Sequence, residues 1–462
     1  MLLKNKLNKM KSFLNSDNIL SSLEECYCYA NDASNTKHKT LTPDLVVFVE
    51  SIKEVQKVLK YANTHEIPII ARGAGTNMVG ACVSTQGGII LNFSKMKKIL
   101  EINTENLTAR VQPGVILGDL KQEVENLGLF YPPDPSNYKV STIGGSIAQS
   151  SGGAMSFKYG TTKDYVLSLK VVTANGDLMT LGKETSKNAL GYHLAQLMVG
   201  SEGTLAIIVE ATLKLIPKPE SNSTIIGYFN DIHKAVNAIG AITTNGIFPS
   251  AIDFMDKNSM ITIEEFLPSG LKTNYLYSLL INLDGLANSM PEQIERTYKM
   301  LLNSGAEEVI TPDNNNSEKI LQARRASYAA TTRLAPDVIS DDIIVPRNKL
   351  AEMILKCNDI AEKYSLKVCL VGHVGDGNIH PQFVLDLNNE EQFRNYCAAK
   401  SEIYEQVKVL GGSISAEHGI GLEKLPYLSD IIDKISIEYM KSIKKVFDPK
   451  NILNPDKIFS IK

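Results

Sequence analysis

An apolar stretch running straight into a glycine-rich loop constrains this chain more than any other feature. Ile67–Ala71 reads as a short buried strand, and Arg72-Gly73-Ala74-Gly75-Thr76-Asn77-Met78-Val79-Gly80 follows it at once. Glycines permit positive φ and place no Cβ in the way, so backbone N–H groups can converge on an anion. Taken alone, the loop fits a tight structural turn equally well. It is not the G-x-G-x-x-G fingerprint, because Gly73, Gly75 and Gly80 space as G-x-G-x-x-x-x-G, and no Gly-Lys-Ser/Thr end is present. Upstream, Leu45–Val49 is a strand candidate. Ser51 and Glu54 then form a capping-box pair opening a helix whose Val55, Val58, Leu59 and Ala62 recur at helical spacing. The segment is a strand–helix–strand unit.

The theme repeats with Leu107–Val111 and a helix around Leu120, Val124 and Leu127 that stops at Gly128. Val166–Thr173 and Leu178–Leu181 flank Asn175-Gly176, a hairpin turn signal. Leu205–Ile216 is a further strand run, closed by Pro217 and Pro219. New elements follow from Ser221 to about Val409, including a helix starting near Asp231 and a strand at Tyr275–Leu283. The polar run Asp313–Ser317 reads as an exposed loop. The last forty residues read as helical, punctuated by Asp448-Pro449 and Asn454-Pro455. The pattern predicts an α+β protein: an N-terminal helical segment over 1–42, one domain over 43–219, a second over 220–424, and C-terminal helices over 425–462.

Composition narrows the function classes. The 462 residues are 43% hydrophobic and 21% charged, ordinary for a globular protein. A net charge of -3 argues against nucleic-acid binding, and no apolar run approaches the ~20 residues of a membrane helix. The basic N-terminus MLLKNKLNKMKSFL lacks the continuous apolar core of a secretory signal. It reads as an amphipathic surface helix, with a membrane-surface anchor as the other reading. The six cysteines form no disulfide ladder and no metal or iron–sulfur run, so a reducing cytoplasm is expected, with peripheral membrane attachment left open.

A second glycine-rich stretch changes the weight of the first. Pro132-Pro133-Asp134-Pro135 leads into Ser141-Thr142-Ile143-Gly144-Gly145-Ser146 and then Gly152-Gly153. Together the two stretches suit an extended dinucleotide lying between two subdomains. The phrases ARGAGTNMVG, PPDPS, STIGGSIAQSSGG, KYGTTKDYVLSLKVVTANGD and VGSEGTLAIIVEATLKL, in that order, resemble the FAD-binding domain of the p-cresol methylhydroxylase/vanillyl-alcohol oxidase superfamily. Within it the chain is similar to the group of FAD-linked D-lactate dehydrogenases, glycolate oxidases and D-2-hydroxyglutarate dehydrogenases, from about Asp32 to the C-terminus.

The resemblance implies a two-subdomain FAD-binding domain of the p-cresol methylhydroxylase type followed by an α/β substrate, or cap, domain, with the C-terminal helices returning to the FAD domain. It puts the FAD pyrophosphate on Arg72, Gly73, Gly75, Thr76 and Asn77, and lines the rest of the cofactor with Pro133, Asp134, Thr142, Gly144, Gly145, Gly152 and Gly153. Tyr159, Glu202, Gly203, Ile207 and Asn454 fall in the family's later FAD-contacting segments. Ser150-Ser151 stands where Asn-Ala is usual, and Ala206 where Gly is usual, both small-for-small changes. No His follows the Arg72 loop, so noncovalent FAD is expected.

Three of the seven histidines lie between His373 and His418. The apolar runs Leu366–Val371 and Gln382–Leu387 flank His373-Val-Gly-Asp-Gly-Asn-Ile-His380, whose turn-rich centre reads as a hairpin. It would set His373 and His380 face to face, with Cβ atoms ~5 Å apart, close enough to chelate one divalent ion. Glu417, among small residues in Ser415-Ala416-Glu417-His418-Gly419-Ile420-Gly421, is a candidate third ligand; hydrogen-bonded loop histidines are the competing reading on spacing alone. The resemblance favours the metal, because G-H-x-G-D-G-N-x-H and E-H-G-I-G are the group's metal and active-site motifs. Two His, one carboxylate and open positions suit Zn²⁺, Mn²⁺ or Fe²⁺.

His418 is then the expected catalytic base, or else a structural partner of Glu417. The implied reaction is metal-assisted hydride transfer from a small D-2-hydroxy acid to flavin N5. Arg324 and Asn378 are its expected substrate contacts, although Arg324-Arg325 also fits a solvated basic helix face. Hydroxyglutarate-type members carry a Lys just before the Asp-rich strand; here Ser340 precedes Asp341-Asp342, which favours a small monoacid such as D-lactate over D-2-hydroxyglutarate, with glycolate as the other small candidate. Electrons would pass to an electron-transferring flavoprotein, an iron–sulfur subunit or a quinone, and a homodimer is compatible. An FAD electron-relay subunit of a larger complex is the alternative.

Overall fold

The computed structural model describes Met10, residues 14–34 and residues 40–460. Most of the helix expected at the N-terminus therefore lies outside the described residues. The chain forms two compact units: residues 1–151, 161–218 and 417–462 make the first, and 152–160 with 219–416 the second.

The first unit begins with β1 (Leu45–Phe48), α1 (Ile52–His65), β2 (Ile69–Arg72) and β3 (Ile89–Asn92). Ser51 caps α1 by accepting the Glu54 N–H at 3.3 Å, and the Glu54 carboxylate reaches back to the Glu50 N–H at 2.8 Å. These contacts satisfy helix-end donors that would otherwise lack partners. β3 lies between β1 and β2, parallel to both, and the two-residue strand Ile19–Leu20 pairs antiparallel with β1.

A second, antiparallel sheet contains β4 (Ile99–Asn103), β5 (Thr108–Val111), β6 (Val166–Val172), β7 (Leu178–Gly182) and β8 (Ile207–Lys214), in the order β4-β5-β8-β6-β7. The two sheets share one core. Val55, Val58 and Leu59 of α1 pack with Leu45, Ile69, Ile89, Val172 and Val209. Each such side chain stabilises the unit by roughly 1.5–3 kcal/mol when fully buried. Ile452 and Leu453 belong to the same core, and the chain there lies along β2, with Ile69 N–H donating to Ile452 O at 2.7 Å and Asn454 N–H to Ile69 O at 2.8 Å. Between β5 and β6, α2 (Ile143–Gln149) carries the second glycine stretch.

The second unit takes in the short helix α3 (Ser156–Tyr159). Its sheet runs β12-β9-β11-β10-β15-β16-β13, antiparallel throughout: β9 (Ser221–Phe229), β10 (Ala251–Asp256), β11 (Tyr277–Gly285), β12 (Glu308–Ile310), β13 (Asp337–Ser340), β15 (Lys367–His373) and β16 (Asn378–Leu385). The two-residue β14 (Ile343–Ile344) pairs with β16. The expected helix near Asp231 is α4 (Ile232–Thr244), with Asp231 as its cap.

The expected loop at Asp313–Ser317 is instead the start of a helix, α5 (Asn314–Arg325). Asp313 accepts the Asn316 N–H at 2.9 Å, so the polar run is a helix cap rather than a turn. The tail after α6 (Lys434–Phe447) is irregular and not helical, because it is pinned strand-like along β2.

Candidate functional site

In the first unit the loop after β2 has the character of an anion cradle. The backbone N–H groups of residues 73–76 donate to no other group among the described residues. Gly75 has φ +76°, and a Cβ there would collide with the Arg72 guanidinium folded beneath it. That guanidinium lies under the loop, donating from Nη1 to Cys82 O at 3.4 Å and sitting 5.6 Å from the centre of the Tyr29 ring. Asn77 ties the loop together: its Oδ1 accepts the Val79 and Ala81 N–H groups at 2.9 and 2.8 Å. A Cβ on Gly73 would strike Thr142 Oγ1, so the glycine lets the two glycine stretches touch. Thr142 caps α2 through the Gly145 N–H at 3.3 Å, and a Cβ on Gly144 would meet Pro113 at 2.6 Å.

Around this cradle several buried polar atoms have no partner among the described residues: Ser141 Oγ, Ser146 Oγ and Asn454 Oδ1. Orphaned buried polar atoms cost about 1–3 kcal/mol each unless a ligand or water satisfies them. Together with the unengaged amides, they fit a large polar cofactor. Pro133 and Asp134 are buried nearby in the chain.

Other residues expected at the cofactor have protein partners of their own. The Glu202 carboxylate accepts the backbone N–H groups of Ile420 and Gly421 at 2.7 and 2.9 Å, which holds the loop after His418. Burial pushes the Glu202 carboxyl up to about 7, against the pull of those two amides and of Lys457 and Lys424. Asn454 Nδ2 donates to Ala81 O and Glu202 O at 2.8 and 2.6 Å. The Ile207 side chain is part of the core, while Gly203 adopts φ +69°. Gly152, Gly153 and Tyr159 fall in the second unit, where Tyr159 Oη donates to Asp284 at 2.8 Å and Lys158 pairs with the same carboxylate.

In the second unit the hairpin of β15 and β16 carries His373 and His380. Val371, not His373, is the cross-strand neighbour of His380, so the two imidazoles meet diagonally on one face rather than head-on. Their ring centroids are 5.2 Å apart. His373 Nδ1 lies 2.8 Å from Asp253 Oδ1, and His380 Nδ1 lies 3.2 Å from the Asp341 carbonyl oxygen. With each Nδ1 proton donated to oxygen, Nε2 carries the lone pair in both rings, the form a metal requires.

Burial alone would raise the Asp253 carboxyl, but Arg324 and His373 bring it down to about 2, so it is ionised at neutral pH. Arg324 is 5% exposed and donates from Nη2 to Asp253 at 3.0 Å, which excludes the solvated-face reading. Its Nε has no partner among the described residues. Asn378 Nδ2 donates to Asp342 Oδ1 and Ile343 O at 2.8 and 2.9 Å.

Glu417 is bonded directly to Ala416, whose N–H donates to Asp342 Oδ2 at 2.8 Å, so it travels with that anchored loop. One ligand atom each from His373, His380 and Glu417 lies within 4.8 Å of the others. His418 Nε2 lies 4.0 Å from Glu417 Oε1. Sequence reasoning missed Asp253 and gave Asp342 no role. A charged residue inside the apolar run Ala251-Ile252-Asp253-Phe254-Met255 was the available signal.

An anion cradle in one unit and a buried imidazole pair in the other fit a flavin-dependent oxidoreductase, and family comparison identifies the chain as one. The chain belongs to the FAD-linked oxidases: residues 43–182 match the FAD binding domain, and residues 218–458 match the C-terminal domain of FAD linked oxidases. It is 42% identical to the glycolate oxidase subunit GlcD of Bacillus subtilis, over 94% of this chain and 92% of that one. It is 36% identical to a D-lactate dehydrogenase of Anaerostipes hadrus, over 90% of this chain and 89% of the relative. In fold it is similar to p-cresol methylhydroxylase, with a TM-score of 0.84 at 17% identity over 99% and 97% of the two chains. The protein is thus an FAD-linked oxidoreductase of the group acting on small hydroxy acids.

Proposed function

We propose that the chain oxidises a small D-2-hydroxy acid, D-lactate first among the candidates, at a centre where His373, His380 and Glu417 hold a divalent cation. The observation that carries this reading is the imidazole pair, held through Nδ1 by Asp253 and the Asp341 carbonyl, with a Glu417 carboxylate oxygen in ligand range. Bound noncovalently, FAD would supply the hydride acceptor. A Zn²⁺, Mn²⁺ or Fe²⁺ ion would supply Lewis acidity worth several kcal/mol at a developing alkoxide.

The chain's own residues bind and move protons. His418 takes the substrate hydroxyl proton on its imidazole, and the Glu417 carboxylate at 4.0 Å stabilises the cation so formed. A base of near-neutral pKa contributes typically ~10²–10⁴ in rate. Arg324 holds Asp253 ionised and has its Nε left to offer a substrate carboxylate. Asn378, the first residue of β16, braces the Asp342 turn. Ser340, where a distal carboxylate would call for a cation, supports a monoacid. The GlcD relative is named as a subunit, which supports delivery of electrons to a partner such as a flavoprotein or an iron–sulfur subunit. No helix among the described residues is long and apolar enough to cross a membrane.

Anaerobic titration of the purified protein with D-lactate, L-lactate, glycolate and D-2-hydroxyglutarate, followed by flavin absorbance, tests this. D-lactate or glycolate should bleach the flavin and L-lactate should not. His418→Gln should slow bleaching by roughly 10²-fold or more with FAD retained. A flavin that dithionite reduces and no hydroxy acid does would point instead to an electron-relay subunit.

A further inference from the structure

Asp342 has no solvent exposure, yet its carboxylate is met by groups from two separate stretches of the chain. Asn378 Nδ2 donates to Oδ1 at 2.8 Å, Ala416 N–H donates to Oδ2 at 2.8 Å, and Ser415 Oγ donates to Oδ2 at 3.3 Å. His380 Nδ1 stands 3.9 Å from Oδ1. Two backbone bonds run beside it, Ile344 N–H to Ser413 O at 2.9 Å and Ser413 N–H to Ile344 O at 2.8 Å. A buried carboxylate is costly unless donors surround it, so this one is kept where it organises its neighbours.

We infer that Asp342 is a positioning residue of the metal centre: it clamps Ser415 and Ala416, and through the next peptide bond Glu417, against the hairpin that carries His380. The inference rests on the metal reading above. One oxygen serves the hairpin through Asn378 and the other serves the loop through Ala416. A single carboxylate thus ties the residue two positions before His380 to the residue just before Glu417. The backbone pair at Ile344 and Ser413 fixes the loop's root but would still let residues 415–417 swing, and Asp342 removes that latitude. Asp253 does the corresponding work for one imidazole only, by fixing its proton. Asp342 instead joins two ligand-bearing elements that are separated by more than thirty residues in the chain.

The test is the metal affinity of the FAD-loaded protein after dialysis, measured with Mn²⁺ and Zn²⁺ by competition with a chromophoric chelator. Asp342→Asn keeps the shape but turns one acceptor into a donor facing Asn378 or Ala416. It should weaken both metals on the order of 10- to 100-fold, the usual loss when an outer partner of a ligand is removed, while flavin content stays at the wild-type level. Ser415→Ala, a milder change, should weaken them by roughly 3- to 10-fold, the worth of one hydrogen bond, and it decides the matter if Asp342→Asn does not fold. Metal affinity equal to wild type in the folded variants overturns the inference and leaves the metal reading standing. So does a loss of metal that merely tracks a loss of flavin and of melting temperature. A wild-type protein that binds neither ion overturns both.

Discussion

At the scale of single residues, the Glu202 carboxyl has a defined pH signature. Burial raises it from 4.5 to about 7, even though the Ile420 and Gly421 amides and the charges of Lys457 and Lys424 favour its ionised form. Below about pH 4.5 the group is protonated in folded and unfolded chains alike. Between about 4.5 and 7 the folded chain holds the proton and the unfolded chain has lost it. Stability therefore falls as pH rises through that window and levels off above it. Glu202→Gln cannot titrate. The melting temperature of the variant minus that of wild type should climb from pH 4.5 to 7 and then stay flat. A difference independent of pH would show that the carboxylate is not perturbed. A companion effect belongs to the loop that Glu202 holds: residues 420 and 421 lie just past His418, so looser amide bonds should also raise KM or lower kcat in the variant.

At the scale of elements, the turn after β2 shows what glycine contributes. Gly75 sits at φ +76°, with the Arg72 guanidinium where a side chain would go. Gly75→Ala adds left-handed strain of roughly 1–2 kcal/mol and displaces Arg72 as well. The flavin-to-protein absorbance ratio of the purified variant should fall well below wild type while its far-ultraviolet circular dichroism is kept; full flavin occupancy would refute the cradle.

Elements with strong periodicity were legible in the sequence. α1 opens at the expected Ser51 cap, and β2 and the β6–β7 hairpin lie within two residues of their expected bounds, because α1's apolar stripe, the buried run into Arg72 and Asn175-Gly176 each admit one local structure. The Asp313 run misleads because Asp and Asn serve turns and helix caps with the same hydrogen bond, and only the residues beyond decide between them. The diagonal approach of His373 and His380 was not legible either, since register depends on turn length and on the neighbouring strand β10. The residues behind the imidazoles were hidden for a third reason. Asp253 comes from a strand 120 residues earlier than His373, and nothing local ties the two together.

At the scale of the whole molecule, both units are built from pieces distant in sequence. The first is completed by the stretch after residue 417, whose Ile452 and Leu453 enter its core and whose Asn454 bonds Ala81 and Glu202. Lys444 reinforces this, donating to Thr204 O and Leu453 O at 2.7 and 2.8 Å. A chain ended at Lys450 loses two buried aliphatic side chains, each worth roughly 1.5–3 kcal/mol, together with the strand-like cover on β2. It should be purified without flavin, and with a lowered melting temperature. Normal flavin content in that truncation would mean that the tail is ornamental to the cradle.

That tail has a consequence during synthesis. The cradle after β2 emerges from the ribosome nearly four hundred residues before the strand-like segment that covers its edge. A nascent chain thus carries an unfinished nucleotide-binding half through most of translation, with one parallel strand uncovered. A chain halted before residues 452–454 should therefore hold no flavin, whereas one that has exposed them should.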